Sequence, residues 1–132
     1  MQPPANRRHH NRHLLAPGSG ARAEFEFPGP GGHPCAMPLR DMSASGLSIV
    51  LAHELPGLEP GSRLDGATVR VGDRAFHADL LVMHVTPEPA RGAVCGALVY
   101  PVEDEDLLTL RAVIADLDGQ TTAPPVYSRR AP

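Results

Sequence analysis

The sequence predicts a mainly β protein: a small six-stranded antiparallel barrel with a C-terminal α-helix packed on it. Three observations carry that expectation. Short stretches of alternating apolar and polar residues recur between residues 21 and 100, separated by Gly- and Pro-rich turns. The period then changes once, to helical spacing, over residues 103–118. A length of 132 residues supports one domain with a real core.

The elements follow in order. Residues 1–12 are polar and aperiodic and read as a flexible N-terminal arm. In "ARAEFEF", Ala23, Phe25 and Phe27 share one face and Arg22, Glu24 and Glu26 the other, the pattern of a half-buried strand. "CAMPLRDMS" sets Cys35, Met37 and Leu39 on one side, with Pro38 calling for an edge or a bulge. "GLSIVLA" groups Leu47, Ile49 and Leu51. "SRLDGATVRV" and "RAFHADLLVMHV" flank Gly72-Asp73, a two-residue hairpin turn. The second of these is apolar on both faces from Leu80 to Val85, so both faces should be covered. "AVCGALVY" is the sixth strand. In the helix, Leu107, Leu110, Val113, Ile114 and Leu117 recur at helical spacing, behind four acids that suit a helix N-terminus. Gly119 is placed to end it, and residues 119–132, rich in Pro, Thr and Ser, read as a disordered tail. Barrel and helix thus span residues 13–118.

Composition narrows the function classes. Net charge is −3, so any anion site must be local rather than a general affinity for nucleic acid. All 12 basic residues are Arg, a bias that weakens the meaning of any single one. Cys35 and Cys95 lie far apart in apolar surroundings and read as reduced core thiols of a cytoplasmic protein. The basic start lacks the apolar stretch of a secretory signal, and no run is long enough to span a bilayer.

Two stretches concentrate chemistry. "NRRHHNRH", residues 6–13, holds Arg7, Arg8 and Arg12 in the pattern R-R-x-x-x-R. "LRDMSASGLSI", residues 39–49, holds Asp41, Ser43 and Gly46 as D-x-S-x-x-G. Taken alone, the second reads first as a turn: Asp and Ser bond back to nearby amides, and Gly46 supplies a positive φ. Taken together the two are complementary. A guanidinium forks onto two phosphate oxygens, or onto guanine O6 and N7. A carboxylate accepts from N–H donors. One motif suits an anion and the other a donor edge. Only five residues are aromatic.

The motif pair, in this order and about thirty residues apart, ahead of a β-rich segment, resembles the PilZ domain, a family of bacterial receptors for cyclic di-guanylate (c-di-GMP). "VCGALVY" looks like the family's last strand, and the resemblance covers roughly residues 7–118. It implies that Arg8 and Arg12 contact phosphates and guanine Hoogsteen edges, and that Asp41, Ser43 and Gly46 hold a guanine at the barrel surface. Arg7, just before the pair, implies an intercalated ligand dimer, two molecules per site. Ser45 stands where family members often carry a first Gly, and the arm after Arg12 is more polar and Gly-rich than usual.

The implied function is a stand-alone, cytoplasmic c-di-GMP receptor with no other cofactor. Its surface would change on binding to regulate an as yet unidentified protein partner in motility, biofilm or related signalling. Alternatives are a PilZ-like adaptor that has lost the nucleotide and works by protein contacts, and a small barrel for single-stranded nucleic acid. The intact motif pair opposes the first; net acidity and scarce aromatics oppose the second. No enzyme site is evident: His33, His53, His77 and His84 are scattered without triad logic, and His84 is expected to pack near the barrel wall. His9 or His10 with His13 could share a helix face, but the surrounding arginines repel a metal cation.

Overall fold

A computed structural model of the protein describes residues 11–53, 55–89 and 92–122. The expectations for residues 1–10 and 123–132, including those for Arg7, Arg8, His9 and His10, lie outside them. The elements are β1 (His13–Leu14), β2 (Arg22–Phe27), β3 (His33–Met42), β4 (Gly46–Leu51), β5 (Arg63–Val71), β6 (Arg74–Glu88), β7 (Gly92–Pro101) and α1 (Asp104–Thr122).

All pairings are antiparallel, in the order β3-β2-β5-β6-β7-β4, and β4 returns to β3. Closure makes a six-stranded barrel and removes the sheet edges. The predicted six strands are therefore those of the barrel, and β1 is an addition outside it. This two-residue strand sets His13 opposite Met42 and Leu14 opposite Asp41. So short a strand shows no alternation, which is why periodicity passed over it.

Inward-facing residues alternate as expected. Ala23, Phe25 and Phe27 of β2, Met37 and Leu39 of β3, and Leu47, Ile49 and Leu51 of β4 are buried. Leu110, Val113 and Leu117 of α1 join the same core. Each fully buried large apolar side chain contributes about 1.5–3 kcal/mol. Cys95 is also in the core, where burial pushes its thiol up to about 11. Cys35 is only half-buried, with a thiol raised for the same reason. Both are free.

Pro38 sits where its missing N–H costs nothing. Leu39 donates to Ala21 O on the β2 side, so the Pro38 nitrogen faces the other way, where pairing with β4 stops at Leu39. The β3–β4 register then shifts between Leu39 and Asp41. Gly72 and Asp73 join β5 to β6 with Val71 opposite Arg74, and Gly72 has φ +61°.

Two expectations are corrected. Met83 is 51% exposed rather than covered, because a bulge between Val82 and His84 releases it from the ladder. Nor does Gly119 end the helix: α1 continues to Thr122, so residues 119–122 are helical and not part of a disordered tail. At the other end, Asp106 accepts from the Glu103 amide at 3.0 Å, a side-chain cap on the first turn. No described helix is long and apolar enough to cross a membrane.

Candidate functional site

The two motifs meet on the outer wall of the barrel. β1 carries the chain alongside β3, so that Arg12, just before it, reaches Asp41: Nη1 lies 2.6 Å from Oδ1. The contact is short and charge-assisted. The Asp41 side chain is only 11% exposed and that of Arg12 53%. Arg40 approaches from the other side, its Nε 3.9 Å from Asp41 Oδ2 and its Nη1 3.0 Å from Glu88 Oε2. The carboxylate is thus flanked by two guanidinium groups. Arg12 reads from the sequence as the end of a flexible arm; here β1 brings it directly against Asp41.

Ser43 and Gly46 shape the β3–β4 turn beneath this pair. Ser43 N donates to Gly46 O at 2.8 Å, and Ser43 Oγ accepts from Ser45 N at 3.3 Å and Gly46 N at 3.2 Å. With Ser43 buried and its hydroxyl engaged inside the turn, it acts here by holding the backbone. Gly46 is not among the glycines with positive φ; its lack of a side chain matters for space. A Cβ there would stand 2.9 Å from Ala97 O and 3.6 Å from Arg12 Nη2.

The register extends the site across the sheet. Leu14, Asp41, Ser48, Gly96 and His84 form one cross-strand row over β1, β3, β4, β7 and β6. Paired residues project from the same face. On β4 and β7 this is the outer face, since Leu47 and Ile49, and Cys95 and Ala97, point into the core. The neighbouring outward rows are Val50, Val94 and Thr86 on one side and Gly46, Leu98 and Leu81 on the other, aliphatic apart from Thr86 and Gly46. A carboxylate, a hydroxyl, a bare glycine and an imidazole therefore line a shelf between two mainly aliphatic borders.

A hollow of about 780 Å³ lies elsewhere, between the β5–β6 turn and α1. Its lining sets two carboxylates, Asp73 and Asp116, against the single guanidinium of Arg74, which pairs with Asp116 at 2.9 Å, so the balance of charge does not favour an anion. The chemistry favours the shelf over this hollow.

No family profile and no curated relative matches the sequence. Solved structures do match. The c-di-GMP complex of MrkH from K. pneumoniae is 15% identical with a TM-score of 0.73, over 92% of this chain and 55% of that one. The PilZ domain of YcgR from Escherichia coli, with c-di-GMP, is 18% identical with a TM-score of 0.68, over 87% and 94%. The fold is that of a PilZ domain. The inhibitor of motility MotI/DgrA from Bacillus subtilis shares it at 16% identity and a TM-score of 0.64, over 88% and 56%. The chain spans about half the length of the MrkH and MotI/DgrA chains and nearly all of the YcgR PilZ domain.

On this PilZ barrel the structure joins Arg12, Asp41, Ser43 and Gly46, while Arg7 and Arg8 lie outside the described residues. His13 is buried with Nε2 2.8 Å from Asp118 Oδ1 of α1, so it ties β1 to the helix. Among the described residues no cluster of His, Cys, Asp and Glu has the makings of a metal site. His84 packs against the barrel wall as expected, its ring lying over Gly96. Its place in the row with Asp41 was not foreseen. The sequence separation of 43 residues gives no hint of it, and the bulge at Met83 changes the phase of β6 just before His84.

Proposed function

We propose that this protein is a c-di-GMP receptor whose site lies on the outer barrel wall. The observation that carries the reading is the Arg12–Asp41 pair over Gly46, a cation for phosphate beside an anion for a guanine edge. The PilZ fold, shared with MrkH and YcgR structures that hold c-di-GMP, supports it. Arg8 and Arg12 take phosphates and guanine N7/O6, Asp41 accepts from guanine N1–H and the exocyclic amine, Ser43 fixes the turn, and Gly46 leaves the base room. Binding exchanges partners: Arg12 turns its fork from Asp41 to the ligand, and Asp41 turns from Arg12 to the base. Each ion that leaves its partner gains another, so neither is left unpaired near the wall. Arg7 adds charge for a second, intercalated nucleotide. No catalytic step is involved; the altered surface would engage a protein partner in motility, biofilm or related signalling.

Calorimetric titration with c-di-GMP tests this. Two nucleotides per chain are expected. Arg8→Ala and Arg12→Ala should each weaken binding by about one to two decades, the loss of a charge-assisted contact of about 1.5–3 kcal/mol. If both variants bind like the unaltered protein, the site is misassigned. An end point of one nucleotide per chain would remove the dimer and leave the site standing.

A further inference from the structure

We infer that His84 closes the far side of the base site and donates a hydrogen bond, from Nε2–H, to N7 of a guanine held by Asp41. This rests on the c-di-GMP reading above and adds a residue that neither motif contains.

The argument begins with Gly96. A Cβ at that position would stand 2.7 Å from His84 Cε1 and 2.8 Å from Cδ2, and closer still to Nε2. The imidazole therefore fills the space that a side chain on β7 would occupy, with its Nε2 corner leading. It reaches from β6 across β7 towards Ser48 and Asp41. Any other residue at 96 would push the ring off the wall, so the bare glycine and the histidine form one device.

The other ring nitrogen is committed. His84 Nδ1 and Thr86 Oγ1 are 3.2 Å apart, and Thr86 lies two residues along the same strand on the same face. The Thr86 hydroxyl can donate to Nδ1, and in that tautomer the proton sits on Nε2, a donor at the leading corner of the ring. Among the described residues Nε2 has no hydrogen-bond partner, although the ring is pinned at two places. An exposed imidazole held this way is ordered for something beyond the chain.

The spacing suits a purine. Gly96 is two strand steps from Asp41, through Ser48, or about 10 Å. A guanine whose N1–H and amine meet Asp41 presents N7 on its adjoining Hoogsteen edge, at about a right angle to N1–H, so a base lying obliquely over Ser48 and the bare backbone of Gly96 turns N7 to His84 Nε2. Leu98 and Leu81 border the shelf on one side, Val50 and Val94 on the other. The site is then bounded by an acceptor at one end and a donor at the other, which matches guanine in one orientation.

Titrations of the full chain with c-di-GMP and with its 7-deaza analogue, which carries C–H in place of N7, test the assignment. His84→Ala should weaken c-di-GMP binding about three- to tenfold, the scale of one neutral hydrogen bond. It should cost the 7-deaza analogue under twofold, because that ligand has already lost the acceptor. His84→Gln, which keeps an N–H at similar reach, should recover part of the loss. Equal losses with both ligands, or none with either, would overturn the assignment. Those results are separable from failure of the parent reading, in which the unaltered protein would not bind c-di-GMP at all and this inference would fall with it. His84 is exposed, so the variants should melt like the unaltered protein.

Discussion

A methyl group at position 46 would stand 2.9 Å from the Ala97 carbonyl oxygen, closer than a carbon can approach without moving backbone. Gly46 lies in β4 opposite Leu98, so the strain would fall on the β4–β7 ladder that helps close the barrel. Gly46→Ala should therefore cost about 1–3 kcal/mol of stability by urea unfolding, as overpacking does. A variant as stable as the parent would show that the turn yields freely. In the sequence this glycine read as a turn residue with positive φ, because the D-x-S-x-x-G pattern shows a turn but not what packs on it. Asp41 and Arg12 were legible for a different reason: their chemistry resides in the residue type and survives ignorance of the fold. His84 was legible as a wall residue, but its place in one row with Asp41 was not. Its neighbours are set by register, and a single bulge residue at Met83 decides the phase.

At the scale of the element, the strands could be read because one face of each is buried and side chains alternate with a period of two. The helix could be read from its apolar stripe, but not its end. Gly119 has open space around a notional Cβ, so neither packing nor φ marks it as a stop. The start of α1 is better anchored. Asp106 accepts from the His77 amide of β6 at 2.8 Å and from the Glu103 amide at 3.0 Å. The His77 amide holds this carboxyl below the ordinary aspartate value of 3.8; burial, the second-largest effect, opposes it, and the Glu103 amide adds to the lowering. Because the folded pKa is lowered, the stabilisation is fully present above the unfolded value and fades as pH falls through the folded one. Asp106→Ala should cost about 1–2 kcal/mol at neutral pH, with one helix cap and one inter-element bond lost. Urea midpoints of the two proteins should converge below about pH 3.8. A gap that persists undiminished into acid would mean that packing, not the ionised carboxylate, is responsible.

For the whole molecule, a closed barrel with α1 packed into its core leaves little that a surface ligand could rearrange. Arg12 is itself fixed to that frame, through β1 on β3 and through Asp41. A nucleotide on the shelf can act on the frame only weakly, whereas Arg8 and Arg7, four and five residues before Arg12, carry the charge that the proposed site brings to its phosphates. Binding should therefore change residues 6–10 and leave residues 13–118 as they are, with the cost of ordering each residue, about 1–2 kcal/mol, offset by the contacts its charge makes. Such a segment is a signal by itself, since its position tells a partner whether nucleotide is bound. Amide exchange with and without c-di-GMP reads this directly. Protection should rise over residues 6–10 on binding while the barrel strands and α1 keep their rates. If residues 6–10 were equally protected in both states, no segment would move, and a partner could distinguish the bound protein only by touching the exposed face of the ligand.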